Sequence, residues 1–386
     1  MKIKKLEFSG HEVLGDLSID FTDDSGKPLD VVVFIGDNGT GKTQVLKSIV
    51  DTIGYSGVYK DSAKIERSQG CIKLSKNSTH LIVDELRFDD AEYRGYSDRD
   101  SEYLGSNELD QKIIVWFPAE LNVEQRKTNQ HHPTLKLVEV ADQWHFDEIN
   151  DYIIDRINKA IYKDMSKPAK KVFDDESKEI NTTFEDLDVG VKLIGLSGES
   201  GLPIFKNNQG DEMELKDLSS GEKQLFFRFL SLKRLNVNNT IIIVDEPETS
   251  LHPEWQRKII KVYENIGENN QIIMATHSPL ILGSVQTKGV RKLIRNEEGK
   301  IELESVDQTY GKSVEHLLKL TMDLDDVRDV DTAKKLNETS DMIKKGDDEG
   351  YNKNISILKE QLGTADKNIV RLELEKAIKE KQNAKS

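Results

Sequence analysis

An α/β fold with a mixed, largely parallel sheet is predicted by three observations: continuous apolar runs, the polar motifs directly after them, and helical periodicity beyond those motifs. The runs are Val31–Ile35 and residues 241–244, and residues 271–274, apolar after Gln271, read as a further strand. Uninterrupted aliphatics, rather than alternating ones, mark strands covered on both faces, and parallel strands of that kind need crossover connections, usually helices.

The first run leads into Gly36-Asp37-Asn38-Gly39-Thr40-Gly41-Lys42-Thr43, after which residues 44–53 recur at helical spacing. Such a strand-to-helix turn lets successive amides converge on phosphate oxygens beside a helix N-terminus. Lys42 is expected to neutralise β- and γ-phosphates, and Thr43 to offer its hydroxyl to a magnesium ion. By itself the pattern could be an ordinary glycine turn. The motifs that follow argue against that.

Leu218-Ser219-Ser220-Gly221-Glu222 precedes a helix with apolar positions at Leu225, Phe226, Phe229, Leu230 and Leu232. Ser219 suits an N-cap, and Glu222 three residues on completes a capping box, which needs no ligand. Residues 241–244 deliver two acids, Asp245 and Glu246, at the strand's carboxyl end, where open α/β sheets place ligands. Asp245 is expected to hold magnesium through water, and Glu246 to orient or deprotonate an attacking water. An isolated Asp-Glu pair would read as a solvated turn, but four aliphatics precede this one. Residues 271–274 end in Ala275-Thr276-His277-Ser278-Pro279, which brings His277 toward a γ-phosphate or the water beside it. His131 and His132, in a polar stretch, lack metal-ligand company.

In this order the motifs resemble the ATP-binding cassette superfamily. Gly36 to Thr43 is similar to Walker A, Leu218 to Glu222 to the signature loop, Asp245-Glu246 to Walker B, and His277 to the H-loop; Ser250-Leu251-His252-Pro253 stands where the D-loop belongs. The resemblance implies two heads meeting face to face, with Ser219, Ser220, Gly221 and Glu222 of one closing over ATP and magnesium held by the other. The segment from Glu246 to Pro253 and the opening Lys2 to Phe8 resemble soluble RecF, SMC and OLD-type heads more than transporter cassettes.

More narrowly, the chain resembles the PtuA-type ATPases of Septu and retron-associated defence loci, and residues 309–318 carry part of that likeness. This implies a regulatory partner for an HNH-type nuclease. The alternative is a repair or structural-maintenance head that clamps nucleic acid directly. OLD-type relatives also carry a Toprim nuclease, whose acids follow aliphatic strands and gather metals. Asp323, Asp325, Asp329 and Asp331 have the spacing but lie in a polar, helix-like stretch, so no intrinsic nuclease is expected. A Q-loop glutamine is not found near Phe117-Pro118-Ala119-Glu120-Leu121, and only Phe8 and His11 are candidates for an adenine contact.

With 386 residues, 36% of them hydrophobic, the chain suits an ATPase core plus an accessory module. No membrane-length apolar stretch or secretory pattern is present, and the single Cys71 excludes an internal disulfide, so a cytoplasmic location is expected. A net charge of −15 argues against a surface that attracts nucleic acid everywhere, since phosphate neutralisation dominates such binding. The lysines at 2, 4 and 5 and at 167, 170 and 171 read as solvated faces or strand edges, and residues 98–108 as an acidic loop.

The expected organisation is an N-terminal ATPase part at 1–135, a helical insertion at 136–205, the rest of the ATPase lobe at 206–304, and a helical docking or capping module at 305–386. About 175 residues separate the P-loop from the signature, too few for an SMC-type arm, and no heptad repeat is sustained between them.

Overall fold

The two apolar runs and residues 271–274 lie side by side in one sheet. The computed structural model describes residues 1–58, 64–68, 71–84, 114–119, 138–140, 146–321 and 328–383. Its strands are β1 (Ile3–Phe8), β2 (Ser18–Asp20), β3 (Val31–Ile35), β4 (Lys64–Ser68), β5 (Cys71–Lys76), β6 (Thr79–Asp84), β7 (Ile114–Phe117), β8 (Val138–Val140), β9 (Val191–Leu196), β10 (Pro203–Asn207), β11 (Glu212–Glu214), β12 (Ile241–Asp245), β13 (Gln271–Ala275), β14 (Val290–Arg295) and β15 (Ile301–Glu304). Its helices are α1 (Lys42–Val58), α2 (Phe146–Lys163), α3 (Ala169–Thr182), α4 (Ser220–Arg234), α5 (Pro253–Gln256), α6 (Ile259–Glu264), α7 (Pro279–Leu282), α8 (Val314–Thr321), α9 (Val330–Lys345), α10 (Asp348–Leu362) and α11 (Lys367–Asn383). Residues 98–108, His131, His132, Glu120, Leu121, Asp323 and Asp325 lie outside the described residues.

The central sheet has the order β15-β14-β3-β13-β12-β7-β8, and every neighbouring pair is parallel except β14 with β15. The strand period of two sends alternate residues to opposite faces. Ile241 and Ile243 therefore join one apolar cluster while Ile242 and Val244 join the other, which is why β12 needs aliphatics at every position. Asp245 pairs with Ala275, and Ala275 with Phe34, so the carboxyl ends of β12, β13 and β3 stand level.

One face is covered by α1 and by a separate antiparallel sheet, β2-β1-β6-β5-β4. β4, β5 and β6 belong to that second sheet, whereas β7 joins the central one. The Gln271 side chain, fully buried, ties the two layers together. Its Nε2 donates to the carbonyls of Ile3 (3.0 Å) and Leu29 (2.9 Å), and its Oε1 accepts from the Ile3 N–H (2.7 Å).

The other face packs α4, α6, α2 and α3. The insertion, expected to be helical, also carries β9 and β10, which with β11 form a three-stranded antiparallel sheet. Asn181, near the end of α3, holds β9 in place: its side chain exchanges two 2.9 Å bonds with the backbone of Leu193. Alternation at Val191, Leu193 and Gly195 buries one face of β9 against the helices.

The chain divides into two compact units, Met1–Leu317 and Leu318–Ser386. The second encloses its own core of Leu336, Ile343, Tyr351, Ile355, Leu358, Ile369 and Leu372. Asp329 caps α9, its carboxylate accepting from the Thr332 N–H and hydroxyl, and Asp331 is exposed in the first turn. Among the described residues no helix is long and apolar enough to cross a membrane.

Gln271→Ala leaves the buried Ile3 amide and two carbonyls without partners. Unfolding in urea is expected to show a loss of about 2–4 kcal/mol, the scale for stranded buried polar groups. An unchanged midpoint would show that the amide contributes nothing to joining the sheets.

Candidate active site

The motif residues gather where the central strands end. β3 runs directly into the glycine-rich turn, and α1 begins at Lys42. Gly36 adopts φ 140°, and a Cβ there would stand 2.1 Å from the Leu293 carbonyl oxygen on β14, so only glycine fits. The Lys42 ammonium, buried, donates to the carbonyls of Gly36 (2.8 Å) and Asp37 (2.9 Å), while Thr40 Oγ1 donates to Asp37 O at 2.8 Å. Burial pulls the Lys42 pKa below the usual lysine range, opposed by the charges of Glu246, Asp245 and Asp37. Asn38 and Gly39 form the exposed crown of the turn. The carbonyl of Gly39 accepts from Arg295 Nη2 at 2.9 Å.

Thr43 Oγ1 donates to Asp245 Oδ2 at 2.8 Å, across 202 residues of sequence. Desolvation raises the pKa of Asp245, which is only 2% exposed, and the neighbouring Glu246 adds to the rise. A threonine hydroxyl and a carboxylate are hard oxygen donors, the chemistry a magnesium ion selects. Glu246 takes a left-handed backbone, φ 47°, and its N–H bonds the Ala275 carbonyl at 2.9 Å. That turn separates its direction from that of Asp245. His277 leaves the end of β13, and burial, then the nearby Lys42, lowers its pKa, opposed by Glu246 and Glu248.

Ser219 and Glu222 do form the capping box. Glu222 Oε2 accepts from the Ser219 N–H (2.9 Å) and hydroxyl (2.6 Å), and Ser219 caps α4 in return. Ser219 and Ser220 remain exposed at the helix N-terminus, while Glu222 is half-buried. Gly221 is buried: a Cβ there would lie 2.6 Å from the Ser250 carbonyl, so the start of α4 sits directly on the D-loop segment.

Three groups that the motifs did not single out complete the arrangement. Glu248 Oε1 accepts from the His277 N–H (2.6 Å) and Oε2 from the Thr276 hydroxyl (2.8 Å). Gln256 accepts from the Ser278 hydroxyl (2.7 Å). Arg228, wholly buried on α4, donates from Nη1 to the Pro247 carbonyl at 2.8 Å, joining the signature helix to the loop after β12. Apolar neighbours on both sides, Leu225 to Phe227 and then Phe229 and Leu230, are the signal that this arginine is buried. Phe8 and His11 lie edge to face 5.2 Å apart, but His11 Nδ1 accepts from the Val13 and Leu14 amides, so this nitrogen serves its own turn. Of the segment tested for a Q-loop, Phe117 ends β7 level with Val244.

Residues 118–283 match the family model described as "AAA domain, putative AbiEii toxin, Type IV TA system". The Septu protein PtuA of Bacillus thuringiensis is 24% identical over 353 residues, 84% of this chain and 85% of that protein. This chain resembles the ABC-like ATPases of the PtuA type. The Retron Vc95 probable ATPase of Vibrio cholerae serotype O1 biovar El Tor is 31% identical over 153 residues, spanning 36% of this chain and 29% of that protein. Among solved structures, the SMC head domain from Thermotoga maritima aligns at TM-score 0.41 and 14% identity, covering 80% of this chain and 100% of that one.

Because Asp245 has a raised pKa in the fold, its ionised form is a net strain on stability. The deficit is full above the folded pKa and shrinks as pH falls toward the unfolded value. Asp245→Asn keeps an acceptor for Thr43 and removes the buried charge. In chelator and without nucleotide, its thermal midpoint is expected to exceed that of the unsubstituted protein at pH 7.5, with the gap narrowing as pH is lowered. A lower midpoint for the variant would contradict this electrostatic picture.

Proposed function

We propose that the chain is an ATP hydrolase whose heads pair face to face around two nucleotides, and whose cycle governs an associated nuclease in bacterial antiviral defence. The observation that carries the reading is the convergence of Lys42, Thr43, Asp245, Glu246 and His277 at the level ends of three parallel strands. The PtuA likeness supports the defence setting.

In this reading the amides of residues 36–43 and the Lys42 ammonium bind the phosphates, exchanging the carbonyl partners of Lys42 for stronger anionic ones. Thr43 and Asp245 hold magnesium, which on binding neutralises charge on the phosphate oxygens. Glu246 accepts a proton from the attacking water, and His277 offers a ring nitrogen beside the γ-phosphate. Ser219, Ser220 and Gly221 of a second head present a further helix N-terminus, so nucleotide bridges the pair. Binding favours closure only through its differential affinity for the closed pair, and phosphate release reverses the bias. The helical unit Leu318–Ser386 is proposed to dock or regulate the HNH-type effector.

A head that clamps nucleic acid directly is the second reading, and a net charge of −15 weighs against it. Salt-sensitive duplex binding that strengthens with ATP would favour it instead.

Glu246→Gln is expected to bind ATP and magnesium normally, to lose at least about 100-fold in turnover, and to accumulate as an ATP-bound dimer by light scattering. Unchanged turnover would remove Glu246 from the role of base. Retained monomer with ATP fully bound would remove nucleotide as the bridge.

A further inference from the structure

A strap of side-chain hydrogen bonds runs from the D-loop segment to the backbone of His277. Gln256 Nε2 donates to the Leu251 carbonyl (3.0 Å), and Gln256 Oε1 accepts from the Ser278 hydroxyl (2.7 Å). The Ser278 N–H donates to Thr276 Oγ1 (2.9 Å), whose own proton goes to Glu248 Oε2 (2.8 Å). Glu248 Oε1 then accepts from the His277 N–H (2.6 Å).

The two ends of this strap differ in character. Thr276 is fully buried and Ser278 nearly so, and the carboxylate accepts two charge-assisted bonds, one from the Thr276 hydroxyl and one from the His277 amide. That end is held firmly. The other end is anchored on Leu251, next to Ser250, a non-glycine residue at φ 63° whose carbonyl lies under Gly221 of the signature helix. A left-handed backbone at serine is sparsely populated and persists only where its surroundings hold it. None of the five bonds uses the His277 ring or the Glu246 carboxylate, so both stay available for phosphate and water.

We propose that Glu248 and Gln256 are positioning residues that make the placement of the His277 imidazole depend on the conformation of the D-loop. A second head pressing on residues 250–253 would then be felt at the γ-phosphate of the same chain, with Glu248 as the fixed point and Gln256 as the link. The inference rests on the ATP-hydrolase reading above. It assigns to the second acid of the Glu-Pro-Glu stretch a task separate from that of Glu246.

The test uses the full chain with magnesium and ATP, measuring turnover, the dissociation constant for a fluorescent ATP analogue, and the thermal midpoint of each variant. Glu248→Ala is expected to lose at least about tenfold in kcat with analogue affinity within about threefold, the split of an interaction that matters beyond substrate binding. Glu248→Gln, whose amide can accept from His277 and donate to Thr276, is expected to recover most of that loss and guards against a misfolded alanine variant. Gln256→Ala is expected to lower kcat less. The double variant should fall well short of the product of the two single losses, since groups acting as one unit are not additive. A Glu248→Ala enzyme within twofold of the unsubstituted kcat, a glutamine variant as impaired as alanine, or strictly multiplicative losses would overturn the proposal. If the unsubstituted chain turned over no ATP, the underlying hydrolase reading would fail first, and this inference with it.

Discussion

The 2.8 Å bond between Thr43 and Asp245 forms only if β3 and β12 end at the same height with a single strand between them. Parallel pairing through β13 enforces this, because Phe34, Ala275 and Asp245 share one line across the sheet. Everything chemical in the molecule follows from that levelling. The turn after β3 supplies amides and Lys42, the turn after β12 supplies two acids, and the turn after β13 supplies His277. Burial on both faces of the sheet is what holds the three ends in step.

The cost of the arrangement is electrostatic. Lys42 and Asp245 are both buried, and burial shifts each toward its neutral form, the lysine down and the aspartate up. A site strained in this way gains from a ligand that brings both signs, an anion for Lys42 and a cation for Asp245. ATP with magnesium has that composition. The capping box at Ser219 shows the complementary situation: the helix N-terminus is already satisfied locally, yet it stays exposed and able to meet a further anion.

Much of this was legible in the sequence, because strands buried on both faces leave an uninterrupted aliphatic signature and their motifs follow within a few residues. Residues 31–35, 241–244 and 272–275, apolar at every position, are of that kind. The small sheet of β9, β10 and β11 was not legible. Its strands lack an unbroken apolar run: on β9 Lys192 and Ile194 face outward, and Gly195 brings no side chain to the buried face. Glu248 was hidden for another reason. As a sequence it is one more acid in a polar turn, and its two donors lie 28 and 29 residues further on, where only the folded sheet brings them close. Arg228 was concealed by its own charge, inside the apolar stretch from Leu225 to Leu230.

The central proposal is that two copies share each nucleotide, one through Lys42 and the other through Ser219. It is tested most directly by mixing Ser219→Arg with Lys42→Ala and measuring ATP turnover of the mixture against each variant alone. Shared sites predict recovery toward one quarter of normal activity, since about half of the pairs at equal mixing are hybrids with one intact site of two. Hybrid pairs that form, as judged by differential tagging, but turn over no more ATP than either variant alone would contradict the account.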